Sequence, residues 1–361
     1  DHGGTLSAAA WTLTADGPTG ITGPGPTVVS DAGFDAGTYT LFESGPDGYD
    51  AGAWECTGDG QQTGNNVTLA LGESTTCTID NDDIEPSLTL VKVVVNDDNG
   101  AAVPSDWTLT ASGPAGFSGT GPGVPNGSNF QAGVYTLSEN GPPGYMAGEW
   151  VCVGATEQNG SVVIVGPGDS ITCTITNDDK APGLTLVKQV INDNGGTAGP
   201  DDFGIAVNGI PVTSGATNLF SIGVPLVIDE AGLDGYDFVS IAGDAKCPAS
   251  LGDSVTLGAG ENVTCTITND DQPPQLTLTK QVVNDNGGTL TASSWTLTAN
   301  GPTSLNGNGP SVNSGPDFKA GNYALSESGP GGYTASAWSC VGGDQDGAGI
   351  TLTPGQSATC T

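Results

Sequence analysis

The stretch GVYTLSENGPPGY, residues 133–145, is one of four similar copies along the 361-residue chain. The other copies are GTYTLFESGPDGY at 37–49, GVPLVIDEAGLDGY at 223–236 and GNYALSESGPGGY at 321–333. In each copy, apolar and polar residues alternate up to a glutamate, and a glycine-rich turn then leads to a tyrosine. Alternation with a period of two predicts a strand with one face on a core. A repeat of about 95 residues is too long for a stacked solenoid unit and is typical of an independent small domain.

The repeat predicts four tandem domains, joined by the short linkers IEPS, KAPG and QPPQ. The expected boundaries are 1–83, 87–179, 183–271 and 275–361. Short linkers that contain proline act as stiff spacers, so we expect an extended array. The first copy lacks its opening strand, and the closing strand of the last copy is incomplete. We therefore expect either that the polypeptide continues or that a neighbouring subunit supplies a strand.

Composition places the chain in the all-β class. It contains 59 glycines and 24 prolines, and no long segment shows helical periodicity. Each copy offers about seven alternating segments between glycine and proline turns, which predicts tandem Ig-like β-sandwich domains. The formal charge of −34 makes nucleic acid and anionic membranes poor partners. No apolar run is long enough to cross a membrane, so we expect no membrane span in this region.

Each copy contains two cysteines about 20 residues apart, a spacing that fits a strand, a loop and a second strand. We expect the two cysteines to face each other across neighbouring strands and to form a disulfide. Zinc is a weak alternative, because no CxxC occurs and His2 is the only histidine; free buried thiols are a further one. Disulfides in every copy would indicate an extracellular or cell-surface location. The predicted pairs are Cys56–Cys77, Cys152–Cys173, Cys247–Cys265 and Cys340–Cys360.

Three of the six lysines occupy one repeated position, in LTLVKVV, LTLVKQV and LTLTKQV. Each is followed by the glutamate of the repeated stretch, and the first two are followed by the asparagine of a closing CTITN strand. A strongly acidic chain that keeps a lysine in phase with a glutamate and an asparagine suggests chemistry between the three. The two complete sets are Lys92, Glu139 and Asn177, and Lys188, Glu230 and Asn269; Glu43 with Asn81, and Lys280 with Glu327, are partial sets.

The repeated stretch resembles the G-x-Y-x-L-x-E-x-x-x-P-x-G-Y signature of Cna-B-type domains, the prealbumin-like modules of bacterial surface adhesins and pilins. The third copy departs from the signature, since it lacks the strand tyrosine and the proline before Gly235 and Tyr236. The resemblance implies prealbumin-like β-sandwiches. It also implies autocatalytic isopeptide bonds in which the glutamate acts as proton shuttle. The implied bonds are Lys92–Asn177, served by Glu139, and Lys188–Asn269, served by Glu230. Lys280 and Asn81 would have partners outside this sequence, with Glu327 and Glu43 in the shuttle position.

Such chemistry is physically sound in a sandwich core. Burial lowers the pKa of an amine and raises that of a carboxyl, so a neutral amine can attack the amide carbon. A protonated glutamate can then donate its proton to the departing ammonia. Two other interpretations remain open: a buried Lys–Glu salt bridge with asparagine as hydrogen-bond partner, and a lysine that protects an edge strand from aggregation.

Acidic residues recur in NDDNG, NDNGG and the closing TNDD segments. If the first and last strands of a domain run parallel, both end at one pole and bring these carboxylates together. Converging carboxylates can hold Ca²⁺, whereas the same sequences also favour simple solvated turns. The candidate calcium ligands are Asp97, Asp98, Asp178, Asp179, Asp193, Asp270 and Asp271.

These observations favour a structural protein, namely the repeat region of a secreted or surface-displayed bacterial filament, pilus or adhesin stalk. The expected partners are further copies of the same repeat or subunit in a fibre. The alternative is an adhesive module that recognises a carbohydrate or a cell surface, and the divergent third copy is where such a ligand would bind. An enzyme is not expected, because no histidine recurs in the repeats and they contain no Ser/His/Asp set and no phosphate-binding loop.

Overall fold

The computed structural model describes residues 2–361, which form two compact units, one ending at residue 180 and the other beginning at residue 181, each with two copies of the repeat. The fold is all-β, as the alternating sequence predicts. Short 3₁₀ helices precede the strand headed by tryptophan or phenylalanine in each domain, at Ala8–Ala10, Pro104–Asp106, Pro200–Asp202 and Ala292–Ser294. Within residues 2–361, no helix has the length and apolar character needed to cross a membrane.

The second domain shows the architecture most completely, as two sheets packed face to face. The sheet that carries the lysine contains, in order, Gly123–Pro125, Ser87–Val95, Ser170–Asp179 and then both Tyr145–Ala147 and Val151–Val153. The sheet that carries the glutamate contains Phe117–Thr120, Thr108–Ser112, Gly133–Asn140, Val162–Val165 and Glu157–Asn159. We call Ser87–Val95 the lysine strand, Gly133–Asn140 the glutamate strand and Ser170–Asp179 the asparagine strand of this domain.

The lysine strand and the asparagine strand run parallel along their whole length, as expected. Leu90 lies opposite Cys173, Lys92 opposite Ile175, and the register continues to Asp178. Because side chains alternate between the two faces of a strand, Leu88 and Leu90 point into the core and Lys92 follows them on the same face. The pairing of the first and last strands therefore positions the lysine beside the closing strand.

The other domains repeat this plan. In the first domain, one sheet contains Ile21–Pro24, Thr12–Asp16, Gly37–Ser44, Asn66–Leu69 and Gln61–Thr63, while Tyr49–Ala51 pairs with Asn81–Asp83 and Glu55–Gly58 with Thr75–Thr78. In the third, the sheets contain Thr217–Leu219, Gly183–Ile191, Asn262–Asp271 and Tyr236–Gly243, and Ile210–Pro211, Gly204–Val207, Pro225–Ala231 and Ser254–Thr256. In the fourth, they contain Ser311–Asn313, Gln275–Thr279, Ser357–Cys360 and Cys340–Val341, and Leu305–Asn308, Thr296–Asn300, Gly321–Ser328, Gly349–Leu352 and Asp344–Asp346.

The eight cysteines form the four predicted disulfides. In the first, second and fourth domains the paired cysteines lie directly opposite each other on antiparallel strands, with Cα atoms 3.9–4.0 Å apart. The third domain differs, because its strand ends at Gly243 and Cys247 lies in the loop that follows, 5.7 Å from Cys265 between Cα atoms. The expectation of facing strands is therefore wrong for Cys247. In the chain-entropy account, closing a loop of about 20 residues stabilises each domain by about 3 kcal/mol.

Candidate functional site

The candidate site of the second domain lies where three inward-facing positions of three strands converge. Lys92 follows Leu90 on the inner face of the lysine strand, and Asn177 follows Ile175 on the inner face of the asparagine strand. The residues are 2% and 3% exposed, so the alternation of each strand carries a polar group into the core. The residue opposite Lys92 is Ile175, which makes Asn177 its diagonal neighbour on the same face.

The glutamate reaches the same point from the facing sheet. Glu139 continues the inner face of the glutamate strand after Tyr135 and Leu137, and its side chain is 12% exposed. Its Oε2 lies 2.8 Å from Lys92 Nζ, and its Oε1 accepts a hydrogen bond of 2.7 Å from Asn177 Nδ2. One carboxylate thus contacts both nitrogens that an isopeptide reaction would involve.

The lysine contact in this domain is an ion pair without an aligned hydrogen bond. Although Lys92 Nζ and Glu139 Oε2 are close, neither atom has a partner with hydrogen-bond geometry among the described residues. The Oδ1 atom of Asn177 likewise has no partner there. At 2.8 Å, the opposite charges of Lys92 and Glu139 still attract each other strongly in the buried site.

The third domain assembles the equivalent site with a different hydrogen-bond arrangement. Lys188 Nζ donates a hydrogen bond of 2.6 Å to Asn269 Oδ1 and lies 2.9 Å from Glu230 Oε2. The lysine side chain is fully buried and that of Glu230 is 2% exposed, so this site is more enclosed than that of the second domain. The lysine lies opposite Ile267 on the paired strand, which reproduces the register of the second domain.

Burial changes the acidity of both amines. Removal from water lowers the pKa of Lys92 and of Lys188 below 10.5, and the neighbouring carboxylate of Glu139 or Glu230 offsets part of that decrease. A lowered pKa makes the neutral, nucleophilic form of the amine easier to reach. The site therefore brings the amine closer to the neutral state that attack on an amide requires, without removing the opposing effect of the carboxylate.

An aromatic ring covers the lysine that lies beside the glutamate in the second, third and fourth domains. The sequence did not predict this contact. Trp107 lies 4.8 Å from Lys92 Nζ, measured to the ring centroid, and Tyr145 contacts Trp107 edge-on with centroids 5.1 Å apart. The Tyr145 hydroxyl donates to Asn96 Oδ1 at 2.7 Å and accepts from the backbone N–H of Ala102 at 3.0 Å. The tyrosine thus links the loop after the lysine strand to the ring over the amine. The sequence feature that could have indicated this role is the constant spacing of six residues between the glutamate and the tyrosine in every copy.

The outer domains contain part of the set. In the first domain, Asn81 Nδ2 donates a 3.0 Å hydrogen bond to Glu43 Oε2. In the fourth domain, Lys280 Nζ lies 2.5 Å from Glu327 Oε2 and 5.1 Å from the Trp295 ring centroid. Each partial set therefore makes a contact between the same residue types as the complete set of the second domain.

The predicted acidic groups also converge. Carboxylate oxygens of Asp97, Asp98 and Asp179 lie within 4.8 Å of one another, and those of Asp193, Asp270 and Asp271 do the same in the third domain. Burial, together with the charges of Asp97, Asp179 and Asp98, raises the pKa of Asp178. In the third domain, burial and the charges of Asp193 and Asp271 raise the pKa of Asp270.

Part of this acidity has a structural role in the turn. Asp179 accepts hydrogen bonds from the backbone N–H groups of Asp98 and Gly100, and Asp271 accepts them from Asn194 and Gly196. The last aspartate of each closing strand therefore anchors the loop after the lysine strand. Calcium at the remaining carboxylates stays a prediction.

The profile of a family described as "prealbumin-like fold domain" matches four consecutive stretches, residues 1–79, 83–175, 179–267 and 271–361. No curated protein matches the sequence. Among solved structures, the TIE protein of Bacillus anthracis is 13% identical with a TM-score of 0.43, and the match covers 96% of this chain and 66% of that one. The pilus adhesin SpaC of Lactobacillus rhamnosus GG is 12% identical with a TM-score of 0.29, covering 98% and 53%. The chain thus spans less than two thirds of either protein.

Two B repeat units of the collagen-binding protein Cna of Staphylococcus aureus are 11% identical, with a TM-score of 0.19 and coverage of 99% of this chain and 94% of that one. The fourfold profile match covers nearly all of the sequence, and each matched stretch contains one copy of the repeat with one disulfide.

Proposed function

The chain belongs to the family of prealbumin-like fold domains, as the resemblance of its repeated stretch predicted, and on this premise we propose that it is part of an extracellular stalk. In this proposal the stalk belongs to a bacterial filament, pilus or adhesin and has a mechanical role. Its domains are stabilised by two kinds of internal covalent crosslink, the disulfides and Lys–Asn isopeptide bonds. The observation that carries the proposal is the meeting of Lys92, Glu139 and Asn177 inside an otherwise apolar core.

The proposed reaction balances without any other reactant. Glu139 takes a proton from the ammonium group of Lys92, and the neutral Nζ attacks the side-chain carbonyl carbon of Asn177. A bond forms between Nζ and that carbon, and the bond from the carbon to Nδ2 breaks. The proton that Glu139 holds passes to Nδ2, which leaves as ammonia, and Glu139 takes up the second proton that Nζ gives up and later releases it to solvent. The strands hold the three groups together, so a single turnover in the life of the molecule is sufficient.

The geometry supports this assignment of roles. The two oxygens of Glu139 address different nitrogens, Oε2 the attacking Lys92 Nζ and Oε1 the departing Asn177 Nδ2. In the third domain, Lys188 Nζ is directed at Asn269 Oδ1, on the carbonyl that would be attacked. A salt bridge alone would use the same residues, but it would gain little from burial, since two charges lose their hydration.

Intact-mass measurement of the full chain tests the proposal. With both bonds formed, the protein is lighter than its sequence, with disulfides counted, by two molecules of ammonia. Apart from the mass of the substitution itself, Glu139→Ala and Glu230→Ala should each raise the measured mass by that of one ammonia. Glu149→Ala, at an exposed position outside the site, should cause no such increase. An unmodified mass in the unaltered protein would leave the salt-bridge interpretation.

Assembly into a fibre with further copies of the repeat is the second part of the proposal. The support is that the lysine strand pairs in parallel with the closing strand, so a strand from a neighbour could complete a domain and deliver its lysine. Denaturing, reducing gels of protein isolated from the native source test this. Subunits joined by isopeptide bonds give a ladder, whereas a single continuous chain gives one large species.

A further inference from the structure

We infer that consecutive domains within each unit are held in place by backbone hydrogen bonds between them, a contact that we call the joint. In each joint, two glycines of the preceding domain form a docking surface for the next prealbumin-like domain. The inference extends the proposed stalk role from staples inside domains to the contact between them. It does not depend on whether the isopeptide bonds form.

In the first unit, the joint has two points of contact. The backbone N–H of Ala132 in the second domain donates a 2.6 Å hydrogen bond to the carbonyl of His2 in the first. At the second point, Ile84 of the linker donates to the carbonyl of Gly48 at 3.0 Å and accepts from the N–H of Gly168 at 2.8 Å. The linker is therefore tied to the domains on both sides of it.

The second unit repeats these contacts at equivalent positions. The backbone N–H of Ala320 in the fourth domain donates a 2.7 Å hydrogen bond to the carbonyl of Asn194 in the third. In the linker, Gln272 donates to Gly235 at 2.8 Å and accepts from Gly355 at 2.8 Å. The residues that differ between the two joints, His2 and Ile84 against Asn194 and Gln272, contribute backbone atoms. These hydrogen bonds therefore do not require a particular side chain at the four positions.

Glycine is required on the docking surface for two reasons. First, the four glycines have positive φ angles, which residues with a side chain rarely adopt. The angles are +94° at Gly3 and +87° at Gly48 in the first joint, and +90° at Gly195 and +82° at Gly235 in the second. A Cβ atom at any of the four would also collide with the backbone of the next domain. For Gly195 the obstructing atom is the carbonyl oxygen of Ala320, and for Gly235 it is that of Pro354.

The partner is defined by the same chemistry. It must present a small residue followed by glycine, as in Ala132–Gly133 and Ala320–Gly321, and a proline–glycine turn, as in Pro167–Gly168 and Pro354–Gly355. A domain with these two features fits the surface, whatever its other loops contain. The joint thereby allows copies with different loops to follow one another with the same firm contact.

Hydrogen exchange of the full-length protein, read by mass spectrometry with residue resolution, tests the inference. The amides of Ala320 and Gly355 should be protected, because they donate across the joint. Gly235→Ala and Gly195→Ala should each speed their exchange by about tenfold or more, since the added Cβ forces the backbones apart. Amides inside the third domain, read in the same experiment, should keep their protection, which separates loss of the joint from local unfolding of that domain.

The fourth domain supplies matched controls. Gly287 and Gly332 have φ of +87° and +91°, and no described atom lies within 4 Å of the Cβ that either would carry. Gly332→Ala and Gly287→Ala bear the same backbone strain without a collision, and should leave the two amides protected. Rapid exchange of Ala320 and Gly355 in the unaltered protein, or equal acceleration in all four variants, would overturn the joint.

Discussion

The second and third domains bring the same three residue types together but enclose the amine differently. Trp107 covers Lys92 in the second domain, with the ring centroid 4.8 Å from Nζ, whereas Phe203 covers Lys188 at 4.2 Å in the third. The smaller ring lies closer, so both amines keep an aromatic wall. The positions of lysine, glutamate and asparagine therefore depend on strand register, while the surrounding wall can vary.

The polar contacts of the two sites also differ, and together they cover both ends of the proposed reaction. In the second domain, Asn177 donates its departing Nδ2 to Glu139. In the third, Lys188 is directed at Asn269 Oδ1, with Glu230 beside the amine. In the proposed reaction, the first arrangement would suit proton delivery to the leaving group, and the second would suit attack on the carbonyl. The two domains therefore differ in which end of the asparagine amide is engaged.

The largest expected effect follows from removal of the glutamates. Glu139→Ala or Glu230→Ala leaves a buried lysine without its counter-charge and prevents the bond, so each should lower the free energy of unfolding by about 3–5 kcal/mol. Glu230→Ala should cost more, because Glu230 is 2% exposed and Glu139 is 12% exposed. Guanidinium unfolding of the full chain, followed by the fluorescence of the aromatic residues, measures the difference.

A reversed order between the two variants would show that burial of the carboxylate does not set the strength of the site. Lys246 and Glu261 provide the control, because they form an ion pair at the surface of the third domain with side chains 48% and 31% exposed. Glu261→Ala should change stability by less than about 1 kcal/mol.

The next effect comes from the glycine that follows the glutamate strand. A Cβ on Gly141 would overlap the indole of Trp107, whereas no described atom lies within 4 Å of a Cβ on Gly232 of the third domain. Gly141→Ala should therefore lower the free energy of unfolding by about 1–3 kcal/mol. Gly232→Ala should leave it unchanged or raise it by up to about 1 kcal/mol, because alanine restricts the unfolded chain. Equal losses in both would mean that Trp107 does not need the space.

A pH experiment separates the covalent site from the salt bridge. In Asn177→Ala the amine of Lys92 stays free, and its folded-state pKa is lowered from 10.5 by burial. The unfolded chain then binds more protons between the lowered pKa and 10.5, so the stability of the variant should rise with pH across that window. The unaltered protein, whose Nζ would be an amide, should lack this contribution. Matching slopes in the two proteins would argue that no bond forms.

Strand alternation and the repeat were enough to predict the all-β fold, the cysteine partners and the convergence of Lys92, Glu139 and Asn177. The same reasoning could not place Trp107 over the amine, because a residue that heads a strand gives no indication of what it contacts across the sandwich. It also misjudged Cys247, since the end of the preceding strand at Gly243 is set by local turn geometry. Contacts set by strand register were predictable, as was the convergence of the acidic loop residues beside the strand ends, whereas the aromatic ring over the amine and the position of Cys247 were not.

The smallest expected effect concerns calcium at the acidic clusters, which differ between the two domains by one charge. Asp98 of the second domain corresponds to Asn194 of the third. The candidate ligands of the second domain are therefore four carboxylates, Asp97, Asp98, Asp178 and Asp179, against three in the third, Asp193, Asp270 and Asp271. The raised pKa of Asp178 means that its protonated form favours folding at low pH, and that this contribution is lost as pH rises through the folded-state pKa. A bound cation would replace the proton and restore the stability near neutral pH.

Calcium should therefore stabilise the second domain more than the third. At a concentration about ten times a dissociation constant of about 10⁻⁴–10⁻³ M, the gain is about 1.4 kcal/mol. Calorimetry of the full chain in Ca²⁺ and in chelator measures it, and Mg²⁺ controls for ionic strength. Asp98→Asn converts the second cluster to the composition of the third, so it should bring the two domains to the same calcium dependence. If Ca²⁺ and Mg²⁺ shift the transitions equally, the carboxylates are solvated turn residues that a divalent ion only screens.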